Sequence, residues 1–327
     1  MKLQALRFIG LSLLLLAVPA AAGAQEYEGD ASLEGKVVNA EGQGLTDAMV
    51  TAELIESASG PEAVTANDSG EFEVEDIRPG RWRLTAAAPA LGYGAARVEV
   101  DVLADDTPAV EIVLQPLQAM VDEANARLQA REYAAAREIY ENVAIALPDN
   151  VNLHQPIALT YQAEGNHEQA LEHIDLLLAG WEAQGAAAQQ DPAVATEVKL
   201  QAVQSSANLK DYPRMRGYLD AIGEENLGPG NVNALLQISA NTLMAENQAF
   251  DEAKSMLDIV LRHAPNSPLP YYYRGMANVR LEQDEEARAD LTKFIELSPT
   301  ETTQVTQAKE ILTKLEEMNE PSAPGSE

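Results

Sequence analysis

The chain has 327 residues, a formal net charge of −30 at pH 7, four histidines and no cysteine. So large a negative charge repels phosphate groups and anionic lipid, which argues against binding to nucleic acid or to a membrane surface. The lack of cysteine excludes disulfides, a thiolate nucleophile and a lipid anchor on cysteine. Four scattered histidines do not favour a metal site, and we expect no cofactor.

The first 24 residues have the three parts of a secretory signal peptide. Lys2 and Arg7 supply positive charge, residues 9–18 form an apolar run, and small residues end at Ala24. The apolar run is shorter than the roughly 20 residues that span a bilayer, so we predict cleavage near Ala24 and no membrane insertion of the mature chain. Exported animal proteins of this size usually contain disulfides, so a cysteine-free chain favours a bacterial periplasmic or secreted protein.

Residues 28–115 alternate apolar and polar positions with period two. Turn signals rich in Gly, Pro, Asn and Asp separate the alternating runs, at 40–44, 67–70, 78–80 and 104–108. Roughly seven short strands with this spacing predict a small antiparallel β-sandwich. Trp82 alternates in register with Leu84, which predicts that it lies in the core, whereas Tyr93 at a glycine-flanked loop is expected to be more open.

This segment resembles the carboxypeptidase regulatory-like domain, a transthyretin-like sandwich. The resemblance rests on glycines, turn residues and inward apolar residues, which are Gly35, Val37, Gly42, Leu45, Ala48, Val50, Asp68, Gly70, Phe72, Pro79, Gly80, Trp82, Gly92 and Tyr93. It implies a fold but no activity, because such modules serve as stabilising, spacing or adhesion domains. The fold is often grouped with carbohydrate-binding modules, so a glycan partner stays open as an alternative.

From residue 118 to 317 the apolar positions recur at helical spacing, and glycine and proline fall only at joints. Four segments share a small residue followed by apolar positions, at 132–148, 167–181, 250–265 and 284–299. Ala136 and Ala170 are 34 residues apart, and so are Ala253 and Ala287. This shared interval indicates an internal repeat.

The interval and the small residues resemble the tetratricopeptide repeat, a 34-residue helix-turn-helix unit. The resemblance is weaker between residues 180 and 231, where a third helix pair has Met215 at the small position. We predict about five helix pairs and a closing cap helix within residues 117–318, and a disordered acidic tail at 319–327. The predicted fold class is multidomain, β + α, with a small antiparallel β-sandwich followed by an all-α tetratricopeptide superhelix, an α-α solenoid.

In the tetratricopeptide family the first helices of the pairs form a concave groove that usually binds a peptide segment of a partner protein. The resemblance therefore implies the following partner-binding positions in this chain: Asn125, Leu128, Ile238, Thr242, Tyr272, Met276 and Arg280. The same pattern places Gln155, Leu159 and Gln162 on this face in the second pair. Tyr272 is predicted to face the groove while Tyr271 packs in the core, and Arg280 is a candidate anchor for an anionic group.

The sequence has no G-x-S-x-G, H-E-x-x-H, P-loop or EF-hand motif. His167 and His173 have poor spacing for a shared metal ion, and both are expected to be solvated. We therefore predict a non-catalytic exported scaffold or adaptor for protein–protein interaction, and not an enzyme. The alternative is a carbohydrate- or cell-wall-binding protein in which the β-sandwich holds the glycan and the repeats organise an envelope complex.

Overall fold

The computed structural model describes residues 26–105, 107–185 and 191–319. The described residues divide into two compact units, which adjoin in the sequence between Gln115 and Pro116. The predicted signal peptide (1–24) and the predicted tail from residue 320 onward lie outside the described residues. No helix within the described ranges is long and apolar enough to cross a membrane.

The first unit contains seven strands in its described part. They are β1 (Glu28–Val38), β2 (Met49–Leu54), β3 (Val64–Thr65), β4 (Glu71–Ile77), β5 (Gly80–Ala88), β6 (Tyr93–Val102) and β7 (Val110–Val113). One sheet has the order β4-β1-β7 and the other has the order β3-β2-β5-β6. The pairings are antiparallel except for β1 with β7, where Gly35 lies beside Val110 in parallel register. The predicted sandwich is confirmed, with β7 as a departure from the purely antiparallel pattern.

The core of this unit lies between the two sheets. Trp82 on β5 is 0% exposed, and its Nε1 donates a hydrogen bond of 3.0 Å to the carbonyl oxygen of Arg78. Leu33 and Ile112 of the other sheet belong to the same apolar cluster. The hydrogen bond satisfies the single polar atom of the indole, so the ring is buried without an unpaired donor. The predicted core position of Trp82 is confirmed, and its ring offers no surface for stacking on a sugar.

The second unit is built of helix pairs followed by a single helix. Its described helices are α1 (Leu117–Gln129), α2 (Tyr133–Ala146), α3 (His154–Ala163), α4 (His167–Gln184), α5 (Pro192–Asn208), α6 (Tyr212–Ile222), α7 (Pro229–Gln237) continued by a π-helix (Ile238–Glu246), α8 (Phe250–His263), α9 (Pro268–Arg280), α10 (Asp284–Leu297) and α11 (Thr303–Asn319). Each odd-numbered helix from α1 to α9 packs on the even-numbered helix that follows it, and α11 packs on α10. The predicted α-α solenoid is confirmed.

The turn inside each pair repeats one backbone conformation. One residue in each turn has a positive φ, namely Arg131 (63°), Gly165 (79°), Lys210 (60°), Gln248 (55°) and Glu282 (57°). The first two of these positions are 34 residues apart, and so are the last two. Because this geometry recurs at the same interval as the small residues, the pairs are repeats of one structural unit.

The small residues of the repeat pattern are buried in the interior of the solenoid. Ala136, Ala170, Ala253 and Ala287 are each 0% exposed, and Met215 holds the corresponding position of the third pair at 1% exposed. A methyl group at these positions lets the helix backbones approach closely, so larger residues require a local adjustment. The predicted packing positions, including Met215, are confirmed.

An ion-pair network joins the last two pairs. Arg274 on α9 donates to both carboxylate oxygens of Asp290 on α10, with distances of 2.9 Å (Nε–Oδ2) and 2.6 Å (Nη2–Oδ1). Its Nη1 donates to Oδ1 of Asp258 on α8 at 2.6 Å, and Asn278 Nδ2 donates to Asp290 Oδ2 at 2.9 Å. These bonds to Asp290 and Asp258 raise the pKa of the guanidinium of Arg274. The network fixes α9 between the second helices of two successive pairs.

Candidate functional site

The fourth pair has one extra residue between its first helix and its turn. The N–H of Ala249 donates to the carbonyl oxygen of Leu243, six residues back. The corresponding N–H groups of the other pairs donate five residues back, from Glu132 to Arg127, Asn166 to Tyr161, Asp211 to Ser206 and Gln283 to Asn278. The π-helix at Ile238–Glu246 accommodates the extra residue, because each of its turns contains more residues than an α-helical turn.

The extra residue changes which side chains this helix exposes. The 34-residue interval from Tyr272 and Met276 predicts Ile238 and Thr242 as groove residues, but these are 4% and 5% exposed. Thr242 is packed in the interior, and Ile238 contributes only the small exposed part of its side chain to a groove wall. The preceding residue in each case, Gln237 or Asn241, is exposed instead. The two carboxamides are joined by a hydrogen bond of 3.1 Å from Asn241 Nδ2 to Gln237 Oε1.

A groove of about 580 Å³ is formed by α3, α5 and α7, the first helices of three successive pairs. Carboxamide, small and apolar side chains make up most of its lining, which consists of Gln162, Ala193, Glu197, Leu200, Gln201, Gln204, Gly230, Asn231, Ala234, Gln237 and Ile238. We call it the amide groove, after Gln162, Gln201, Gln204, Asn231 and Gln237. Gln162 and Ile238 are predicted from the sequence to lie on this face, whereas Gln201, Gln204 and Gln237 are not.

Hydrogen bonds hold two of these carboxamides in place. Gln162 Nε2 donates to Ser205 Oγ and to the carbonyl oxygen of Gln201, both at 3.2 Å. Gln204 Nε2 donates to Thr242 Oγ1 at 2.9 Å. The Oε1 atom of Gln201 is buried, and none of the described residues donates a hydrogen bond to it. A buried acceptor without a donor is unfavourable, and because this atom has almost no accessible surface, the Gln201 side chain must rotate before a ligand can bond to it.

A second groove, of about 400 Å³, lies between the π-helix and α9. We call it the aromatic groove, and its lining consists of Ala240, Met244, Ala245, Gln248, Phe250, Tyr272, Tyr273, Met276 and Arg280. The structure thus brings together Tyr272, Met276 and Arg280, three of the predicted groove residues. Arg280 is exposed, and its guanidinium carbon lies 6.0 Å from the centre of the Phe250 ring, at the outer limit of a cation–π contact.

Tyr272 belongs to the packed interior more than to the groove surface. It is 7% exposed, its hydroxyl donates to Oε1 of Gln307 on α11 at 2.7 Å, and its ring centre lies 5.0 Å from that of Phe294. Burial raises the pKa of this hydroxyl. Tyr271 is only half-buried, and its hydroxyl donates to the carbonyl oxygen of Pro265 at 3.1 Å. Tyr272 thus lines the aromatic groove, but the cap helix covers most of its side chain, while Tyr271 packs against the same apolar cluster and stays half-buried.

The other predicted groove residues, Asn125 and Leu128, lie on α1 and line neither groove. Asn125 is exposed, and its Oδ1 accepts a hydrogen bond of 2.7 Å from the hydroxyl of Tyr140. Leu128 is half-buried against the apolar cluster that contains Ala136 and Ile157. Both side chains therefore contribute to the contacts within and between the first two pairs.

Two histidines meet inside the second pair. The Nδ1 atoms of His154 and His173 are 2.9 Å apart, and the ring of Tyr161 stacks on His173 with centres 5.6 Å apart. Burial lowers the pKa of both imidazoles, and that of His173 falls to about 4 because the nearby His154 and Arg137 also disfavour its charged form. The prediction that His173 is solvated is wrong. In the described ranges no three side chains of metal-ligating type form a group that could hold a metal ion.

Residues 32–115 match the model of the family described as the carboxypeptidase regulatory-like domain. The first unit therefore carries this domain, as the sequence resemblance predicted. The second unit is a tetratricopeptide-type solenoid, as its helix pairs, its recurrent turns and its buried small residues establish. None of the curated proteins matches the chain.

Solved structures of tetratricopeptide proteins are among those similar to this chain. The YrrB structure, described as a TPR protein with an unusual peptide-binding site, has 17% identity, covers 58% of this chain and 90% of its own, and has a TM-score of 0.42. A MamA structure has 14% identity, covers 64% of this chain and 98% of its own, with a TM-score of 0.42. MamA from Desulfovibrio magneticus RS-1 has 13% identity, covers 55% of this chain and 94% of its own, and has a TM-score of 0.43.

Proposed function

We propose that the protein is a non-catalytic scaffold that binds a segment of a partner protein along the first helices of its solenoid. The observation that carries this proposal is the pair of grooves of about 580 and 400 Å³. α7 lines the first groove, and the π-helix that continues α7 lines the second. Their linings combine carboxamides with methionine and aromatic side chains. Side chains of these types suit polypeptide ligands, because they offer hydrogen bonds and adaptable apolar contacts without a fixed charge.

The β-sandwich is proposed to space or stabilise the scaffold and not to bind glycan. Sugar binding generally uses an exposed aromatic ring, and Trp82 is in the core while Tyr93 is half-buried against the same core. Export, with removal of residues 1–24 and release to the periplasm or the medium, is part of the proposal and rests on the sequence of that segment. Recovery of the mature chain beginning near Gln25 from a periplasmic fraction would support it.

Site-specific photo-crosslinking tests the groove assignment. A benzophenone amino acid replaces Gln237, an exposed residue of the amide groove, or Gln169, an exposed residue on α4 outside both grooves. We expect Gln237 to yield a discrete partner in an envelope extract, and we expect Ala234→Trp, which fills the groove, to suppress that product. Circular dichroism checks that Ala234→Trp keeps its helices. The same product from both positions, or a product that Ala234→Trp leaves unchanged, would show that the partner binds elsewhere.

A further inference from the structure

We infer that the amide groove binds the main chain of an extended polypeptide segment that is neutral or basic. This inference rests on the proposed function and specifies the chemistry of the partner at that site. Four glutamines and one asparagine line the groove, and they come from three helices that follow one another along the solenoid. Because five carboxamides line it, the groove can form several hydrogen bonds with a ligand that runs from one first helix to the next.

A carboxamide is the side-chain group closest in chemistry to the peptide unit. It carries an acceptor oxygen and an N–H donor group without net charge, so it can bond to the C=O or the N–H of a main chain regardless of sequence. Gln201 and Gln204 are one helical turn apart, which places their Cβ atoms about 5–6 Å from each other. Alternate residues of an extended chain are about 6.6 Å apart, so neighbouring carboxamides can reach successive peptide groups on one edge.

The hydrogen bonds already present in the groove favour a ligand that donates. The Nε2 atoms of Gln162 and Gln204 are bonded to Ser205 and Thr242, which orients the two side chains and leaves their oxygens to act as acceptors. The Oε1 of Gln201 is buried and none of the described residues donates to it, so a rotation of this side chain towards the groove would add a third acceptor. Main-chain N–H groups are donors of this kind. A glycan could also donate through hydroxyls, but no aromatic ring occurs in the described lining to stack on a sugar face.

The negative charge of the protein determines which polypeptide segments the groove can accept. Glu197 is the one charged residue among those described as lining the amide groove, and the whole chain has a formal net charge of −30. An acidic segment would be repelled by this potential, whereas a neutral or basic one would be accepted or attracted. The occupant is therefore a neutral or basic segment whose main chain is extended and accessible.

Fluorescence anisotropy with defined peptides tests this inference on the full chain. The probe is a labelled ten-residue peptide of alternating Ser and Val, compared with versions in which Lys or Glu replaces the serines and with one N-methylated at alternate residues. We expect the Ser and Lys peptides to bind and the Glu peptide to bind at least tenfold more weakly at low salt. The N-methylated peptide should also bind about tenfold more weakly, because it lacks the N–H donors along one edge.

Two protein variants locate the binding. Gln201→Leu with Gln237→Leu should weaken the Ser peptide about tenfold, while the exposed Gln169→Leu leaves its affinity unchanged. Should the double variant not fold, Gln201→Glu replaces it, and it is expected to increase the preference for the Lys peptide over the Ser peptide. Equal binding of the N-methylated peptide, no effect of the groove variants, or no binding of any peptide at 1 mM (roughly the weakest affinity the assay resolves) would overturn the inference. Binding of chitohexaose that depends on Gln201 and Gln237 would overturn it in favour of a glycan.

These results are separable from those that test the scaffold function. If crosslinking at Gln237 captures a partner but the peptides do not bind, main-chain recognition is wrong and the scaffold proposal stands. If the peptides bind as expected while crosslinking yields no groove-dependent partner, the groove chemistry stands and the scaffold proposal fails.

Discussion

Replacing Asp290 by asparagine is expected to destabilise the last two pairs strongly. The side chain of Asp290 is 5% exposed, whereas that of Asp258, the other acidic partner of Arg274, is 39% exposed. Asparagine preserves the shape but not the charge, so Arg274 loses charge-assisted hydrogen bonds of 2.9 and 2.6 Å. Breaking a buried ion pair costs about 3–5 kcal/mol, and we expect the lower end, about 3 kcal/mol, because Arg274 keeps its bond to Asp258.

Asp258→Asn is the matched control, since it removes one exposed partner of the same arginine. An exposed ion pair contributes about 0–1 kcal/mol, so this variant should lose much less stability. The free energy of unfolding is measured by urea denaturation followed by circular dichroism, with hydrogen exchange in α9 and α10 as the local readout. Equal losses in the two variants, or a loss below about 1 kcal/mol for Asp290→Asn, would refute the reasoning that burial makes Asp290 the dominant partner.

Three further predictions concern the solenoid. Gly165 and Gly217 both have open space where a Cβ would lie, but only Gly165 has a positive φ. Gly165→Ala should therefore lower the free energy of unfolding by about 1 kcal/mol. Gly217→Ala, within α6, should instead raise it by up to about 1 kcal/mol. If urea denaturation showed that the two variants change the free energy of unfolding in the same direction, the assigned backbone conformations would be contradicted. Met215→Ala restores the small residue of the repeat pattern but should cost about 2–5 kcal/mol, because the methionine is 1% exposed and its removal leaves a cavity. An unchanged urea midpoint would show that the third pair collapses around the smaller side chain. The folded pKa of His173, about 4, is below the ordinary value of 6.5, so its contribution to stability is present above pH 6.5 and is lost as the pH falls towards 4. His173→Phe should reduce the loss of stability between pH 6.5 and 4 by roughly 1 kcal/mol after allowance for partial solvent exposure, and identical pH profiles for the two proteins would contradict this.

The sequence located the repeat because packing restricts the size of buried residues. Ala136 and Ala287 are fully buried, so the interval between such residues reflects the geometry of the solenoid. The alternation of Trp82 with polar neighbours identified the core face of β5 for the same reason. The parallel pairing of β1 with β7 could not be predicted, because alternation shows which face a residue occupies but not which strand lies beside it.

The groove was less predictable because it depends on contacts outside each repeat. Thr242 is buried, and Ile238 is exposed only slightly, because the extra residue lies between them and the turn. The interval between Ala253 and Ala287 lies after the turn and gives no sign of that residue. The burial of most of the Tyr272 side chain could not be predicted, because it depends on the cap helix, which supplies Gln307. Gln201 lies in the irregular third pair, which does not follow the 34-residue interval, so the repeat pattern could not identify it as a groove residue. A spacing of three residues between Gln201 and Gln204 on one helix face is the signal that could have identified the amide groove.

Hydrogen exchange of the full chain with and without the Lys-containing peptide tests the central claim most directly. If the first helices of the solenoid hold an extended segment, exchange should slow in α5, in α7 and in the π-helix at Ile238–Glu246, and should be unchanged in the β-sandwich. Protection confined to residues 26–115, or to the second helices of the pairs, would contradict the assignment of the amide groove as the binding site.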